Sequence, residues 1–400
     1  MYYLSQALEI TKEKKLDKEH SIVTEILGWR YLRYGGHESK EYFTQSLASA
    51  QKSNYLKGMA NAYNGLGIYY YDSGAYYLSI EYYKKAMKHF QQEQFVSGVA
   101  SGFNNIAISY NRLGDYANAL ENHLKALEIR KEHHKEKVPS SLFNIGNIFL
   151  NLKDYQEARN YYDNALRLLS EEDLTPLKAN IYLSLGVAFL HIEKKDHIHA
   201  LEYASKAIIA FQKQDDAEGV ALSYKLLGDI YLECDSYDSA NHFFSKGKRS
   251  ILNKNLSRTM LELDISYSNY LIRTDSTEKA RALLMECLRT AADKGLDPIM
   301  SDAFNNLYLL EKNVGNYEGS LLYLEKYNTL EDSLSNMKLL KKIEMSQIKA
   351  DEIGVDSMEQ EPDKHLPQTI LLACFIVVSV IIIFWIMKSS KKSSGFSINK

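Results

Sequence analysis

The chain has 400 residues, 45% of them apolar and 25% charged, and a formal net charge of −3. That balance belongs to a globular chain, excludes wholesale disorder, and leaves no nucleic-acid footprint. Five prolines suit long helices, and three scattered cysteines (Cys234, Cys287, Cys374) make neither a disulfide framework nor a metal site.

Met1 to Lys18 reads as a second helix without its first, because Leu4, Ala7, Leu8 and Ile10 align with His123, Ala126, Leu127 and Ile129. No charged segment followed by an apolar run precedes this partial unit (residues 1–20), so no signal peptide is read. Either the first helix is dispensable or the true beginning is missing, and a missing N-terminal piece is the expectation. From Ser21 a small residue recurs at Gly28, Gly67, Ala107, Gly146, Gly186 and Gly228, with weaker counterparts at Ser268 and Tyr308. The intervals of 39 to 42 residues count eight units up to about Leu330. Two units overlay directly. Asn105-Ile106-Ala107, Tyr110, Gly114-Asp115-Tyr116 and Ala119 match Asn144-Ile145-Gly146, Phe149, Lys153-Asp154-Tyr155 and Ala158, and Ala126 and Ala165 close each unit. Each unit reads as two amphipathic helices too short to bury their own apolar faces, so neighbours must stack into one continuous core. A mid-helix glycine costs up to about 1 kcal/mol in propensity, which close helix contact can offset. Thirty tyrosines, many at repeat positions, are expected to pack a ring between helices while the hydroxyl reaches water.

Lys131 to Lys137 is a charged junction, and adjacent His133 and His134 do not share a helix face. His197 and His199 lengthen the turn of unit five and, with no cysteine partner, are not read as metal ligands. Thr274 to Glu278 reads as a turn with a helix start, and Asp297-Pro298 opens another helix. The last second helix runs on from Leu321 to Ile343. Either Leu330, Leu334 and Met337 begin a self-association seam between Leu330 and Ile343, or the helix caps the stack. The repeat region is therefore 21–345, followed by an acidic linker (346–368) and a charge-free segment (369–387).

Ile370 to Met387 holds thirteen Leu, Ile, Val or Phe residues. At 1.5 Å per residue it spans about 27 Å, the reach of a single transmembrane helix. A short basic tail (388–400) with Lys388, Lys391 and Lys392 places that tail in the cytoplasm and the repeats outside it. The expected location is the bacterial inner membrane with periplasmic repeats. A tail-anchored chain with cytoplasmic repeats is the alternative.

Leu66-Gly67 with Tyr70, Ile145-Gly146 with Phe149, Leu227-Gly228 with Tyr231, and Ala119, Ala158 and Ala240 in second helices resemble tetratricopeptide repeats in a long form of about forty residues. The resemblance implies an all-α, right-handed α-solenoid of about eight helix pairs, followed here by the single membrane span. It also implies a concave groove lined by positions two, five, six, nine, twelve and thirteen of each unit. On this sequence those positions include Asn61, Asn64, Tyr71, Asn104, Asn105, Asn111, Arg112, Asn144, Asn147, Asn151 and Asn180, which become the candidate peptide-binding residues. Carboxamides offer a donor and an acceptor together and suit an extended peptide backbone. The set resembles the asparagine-lined grooves of kinesin-light-chain-type repeats. An equal alternative is that these side chains bond to neighbouring helices or water.

The carboxylate clamp of chaperone-binding repeats is absent. Units two to four offer Asn64, Ile68, Asn105, Ser140 and Asn144, and units six to eight supply Lys225 but then Asp229 and Asp302. The repeats with Leu324 to Tyr327 and Leu330 to Asn336 before one span resemble the sensor half of Bacteroidetes-type membrane regulators, here without an output domain. No phosphate loop, HExxH, GxSxG or cysteine cluster is present, so no enzyme, cofactor or metal is expected. The expected function is a membrane-anchored scaffold binding protein or peptide segments in signalling. The alternatives are a docking protein of a membrane complex and a truncated regulator or sensor kinase.

Overall fold

The structure, a computed structural model, describes residues 2–331 other than 35, 171–173, 193–195 and 253–256. Every regular element among the described residues is helical. The first, α1 (Tyr2–Glu13), packs on α2 (Asp17–Arg33). Eight pairs follow. They are α2 with α3 (Glu38–Lys52), α4 (Leu56–Asp72) with α5 (Tyr76–Gln92), and α6 (Val96–Arg112) with α7 (Tyr116–His133). Next come α8 (Val138–Asn151) with α9 (Tyr155–Arg167), α10 (Pro176–His191) with α11 (His197–Lys213), and α12 (Ala217–Glu233) with α13 (Tyr237–Ile251). The last are α14 (Ser257–Arg273) with α15 (Thr277–Asp293), and α16 (Asp297–Asn313) with α17, whose described part is 317–331.

Many of the loops reverse the chain in a few residues by placing one residue in the left-handed region. Gly74 (φ 80°) and Gly114 (φ 71°) serve two of them, while Asn54, Gln94, Lys153, Asp215, Asp235 and Asp275 adopt it without being glycine. After α4, Gly74 N–H donates to Tyr71 O and Ala75 N–H to Tyr70 O, which closes the helix end. The next residue often starts the partner helix as a cap. Asp115, Asp154, Asp196 and Asp216 each accept from a backbone N–H three residues on. The recurring Gly-Asp-Tyr and Lys-Asp-Tyr strings are thus a stop, a cap and a start.

The small residues in the first helices are notches for rings from the second helices. A Cβ built on Gly67 would lie 2.5 Å from Tyr83, on Gly146 2.5 Å from Tyr162, and on Gly228 2.5 Å from Phe244. Unit three replaces both partners, with Ala107 and the smaller ring of His123 at the corresponding positions, each buried. A second set of rings uses some of the tyrosines. Tyr70 stacks on Tyr82, Phe189 on Tyr203 and Tyr231 on Phe243, at 5.1, 5.5 and 5.3 Å between centroids. A lysine one turn along the second helix covers each pair, Lys85 over Tyr82, Lys206 over Tyr203 and Lys246 over Phe243.

First helices touch the first helices of neighbouring pairs, as in α2 with α4 and in the run α8, α10, α12, α14 and α16. Second helices touch chiefly the first helices on either side. First helices therefore form the inner layer, and their outward positions line the groove.

The expected membrane location is corrected. Among the described residues no helix is long and apolar enough to cross a membrane, and this overturns both the periplasmic placement and its tail-anchored alternative. The expectation rested on apolar composition at Ile370 to Met387, which lies outside the described residues. So do the linker, the basic tail and all but the first two residues of the seam from Leu330 to Ile343.

Candidate functional site

The groove positions of α4, α6 and α8 carry amides that meet in pairs across neighbouring units. Asn105 Nδ2 donates to Asn64 Oδ1 at 3.2 Å, Asn144 Nδ2 to Asn104 Oδ1 at 2.9 Å, and Asn151 Nδ2 to Asn111 Oδ1 at 3.0 Å. Arg112 Nε donates to the Tyr71 hydroxyl at 2.8 Å. Burial would lower the Arg112 pKa, but that hydrogen bond outweighs it and holds the guanidinium above its ordinary value. At the head of the series Asn61 Nδ2 donates to Glu25 Oε2 at 3.2 Å. Burial raises the Glu25 pKa against the opposing bonds from Asn61 and Trp29.

Each amide rung uses one donor and one acceptor and leaves an NH2 group and a carbonyl without a protein partner. Reversing both carboxamides leaves the same inventory, so the reading does not depend on how either amide is turned. Two expected residues stand apart from the rungs. Asn147 accepts from the Tyr162 hydroxyl at 2.7 Å, and Asn180 donates back to Pro176 O of its own helix at 2.8 Å.

A cavity of about 720 Å³ lies between α10, α12, α14 and α16. Its lining joins Leu190, Leu232, Ile265, Ile272 and Leu309 to charged and amide side chains. Three ion pairs line it. They are Lys225 with Asp229 at 3.0 Å, Arg258 with Glu262 at 3.0 Å, and Arg273 with Glu233 at 2.8 Å. Burial would lower the Lys225 pKa, but Asp229, with Glu262 and Asp302 beyond, holds it above the ordinary lysine value. Asp302 has neither an ion pair nor a side-chain hydrogen bond. It is accessible to water yet so surrounded by protein that desolvation raises its pKa, against the opposing fields of Lys225 and Lys153. Arg112 in turn feels the negative charge of Glu262.

None of these cavity residues was among the expected binding set, although their signal was present. Lys225 and Asp229, Glu262 through Arg273, and Asp302 through Asn313 occupy the same repeat positions that picked out the asparagines. Lys225, Asp229 and Asp302 do not form a carboxylate clamp, because two of the three carry the wrong sign for a carboxylate ligand.

His199 pairs with Asp196 at 2.6 Å, and His133 is exposed beside Glu132. Among the described residues no three His, Cys, Asp or Glu side chains converge to hold a metal.

Residues 58–132 and 98–171 match the profile of the tetratricopeptide repeat family. A Rap protein complexed with competence and sporulation factor shares the fold at a TM-score of 0.64 and 16% identity, covering 84% of this chain and 97% of that one. The apo quorum sensor NprR from B. thuringiensis follows at 0.62 and 17%, covering 81% and 91%. The Rap conjugation gene regulator of plasmid pLS20, in complex with the Phr* peptide, gives 0.60 and 17%, covering 72% and 78%. At these identities the likeness is one of fold.

Proposed function

We propose, from the premise that this is a tetratricopeptide repeat protein, that it is a non-catalytic regulator binding an extended peptide segment in the groove of its first helices. The observation that carries the reading is the series of amide rungs at Asn64/Asn105, Asn104/Asn144 and Asn111/Asn151. A peptide backbone presents a C=O and an N–H at each residue, and every rung keeps one group of each complementary kind. Pairing the carboxamides with each other holds their rotamers before a ligand arrives, which reduces the ordering entropy lost on binding. Two structures of this fold are described as complexes with a peptide or a competence factor, which supports the choice of ligand class.

The test is capture of a random hexapeptide library by the immobilised full chain, read by mass spectrometry. Asn104→Ala with Asn144→Ala removes both halves of one rung, so no buried partner is stranded and stability changes little. Retention is expected to fall about tenfold. Undiminished retention by the double variant would remove the rungs from the site.

A further inference from the structure

The charged cavity beyond the amide rungs holds one carboxylate that the protein does not neutralise at contact distance. Lys225, Arg258 and Arg273 are each engaged by an acid of the same wall, Asp229, Glu262 and Glu233. Asp302 is the remaining acid of the lining and has no such partner. Lys225 and Lys153 are near enough to be felt but make no ion pair with it. The same lining holds carboxamides whose hydrogen-bonding groups are also uncommitted, Asn269, Asn305 and Asn313, and the apolar side chains Ile265 and Leu309.

We propose that Asp302 is the anchor for an organic cation, an ammonium or guanidinium group carried by the bound peptide, with Asn269 and Asn305 taking its remaining N–H groups. The assignment rests on the peptide-binding reading and gives that peptide a charge and a register. A metal ion is a poor occupant, since no three ligating side chains converge among the described residues. An organic cation needs no such shell. It needs one carboxylate in a partly desolvated setting, hydrogen-bond acceptors nearby and apolar surface for its stem, and the cavity supplies all three. An anionic group would meet Asp229, Glu262 and Asp302, with every wall cation already engaged. The cation could come from a peptide terminus or from a side chain.

The full chain and its Asp302→Asn variant are tested for capture of hexapeptide pools with one position held as Lys, Arg, norleucine or Glu, each made with a free and with an acetylated N-terminus. Asp302→Asn keeps the size and polarity of the side chain and removes only its charge, and circular dichroism checks that the helices are intact. Lys- and Arg-fixed pools should be retained about tenfold better than norleucine or Glu pools if a side chain is the source. Free-amine pools should exceed acetylated ones by a similar factor if the terminus is the source. Either preference should disappear in Asp302→Asn. Retention without charge preference, or a preference that survives Asp302→Asn, overturns the assignment and leaves peptide binding standing. Retention of no pool by either protein overturns peptide binding and the assignment together.

Discussion

Replacing Gly146 with alanine tests the packing rule on which the repeats are built. The new methyl would lie 2.5 Å from Cε1, 2.8 Å from Cδ1 and 3.1 Å from Cζ of Tyr162. That ring is fully buried and cannot slide away freely, because its hydroxyl donates to Asn147 Oδ1 at 2.7 Å, on the residue next to Gly146. Alanine gains about 1 kcal/mol of helix propensity. Against this, overpacking costs about 1–3 kcal/mol, and a buried hydroxyl pulled from its acceptor costs about 1–3 kcal/mol more. The expected result is a net loss of about 1–5 kcal/mol. Urea unfolding of the full chain followed by circular dichroism reads the total, and hydrogen exchange in α8 and α9 shows whether the loss is local. Unit three suggests the rescue. It carries Ala107 and His123 where unit four has Gly146 and Tyr162, so Tyr162→His should recover part of the loss in Gly146→Ala. A single Gly146→Ala variant that gains the stability propensity alone predicts would refute the account.

The same His123 makes stability depend on pH. Burial, with Arg130 adding to it, lowers its pKa from 6.5 to about 3, so it is neutral when folded and takes up a proton on unfolding. Its contribution is complete above pH 6.5 and declines as pH falls toward 3. By pH 5 the decline amounts to about 2 kcal/mol. His123→Gln should flatten the change in urea midpoint between pH 7 and 5 relative to wild type, and an unchanged slope would assign the dependence to other groups. Gln94 holds φ at 53° in the loop between α5 and α6, where glycine adopts the conformation without strain. Gln94→Gly should raise stability by about 1 kcal/mol in the same urea assay, and a loss would show that its side chain is needed there.

How much was legible before any coordinates depended on the distance over which each interaction acts. The stop–cap–start strings and the small residues that accept rings are local or confined to one unit, so their spacing sufficed to place the helix pairs from Ser21 onward. The packing role assigned to Gly67, Gly146 and Gly228 is the one they play. What the asparagines at the expected groove positions bond to was not legible. Asn104 and Asn144 bond to each other, whereas Asn147 serves its own unit's Tyr162 and Asn180 its own helix. All four stand at positions that the repeat register assigns to the groove.

The cavity shows the same division. Lys225, Glu262 and Asp302 stand on three different helices, and their signs had meaning only once the stacked helices put them around one space. Periodicity is a property of a single strand of sequence and is enough to determine pairs of helices and their inner face. Which polar groups satisfy one another, and which carboxylate is left over, depends on the offset between neighbouring units, and only the stacked structure decides that.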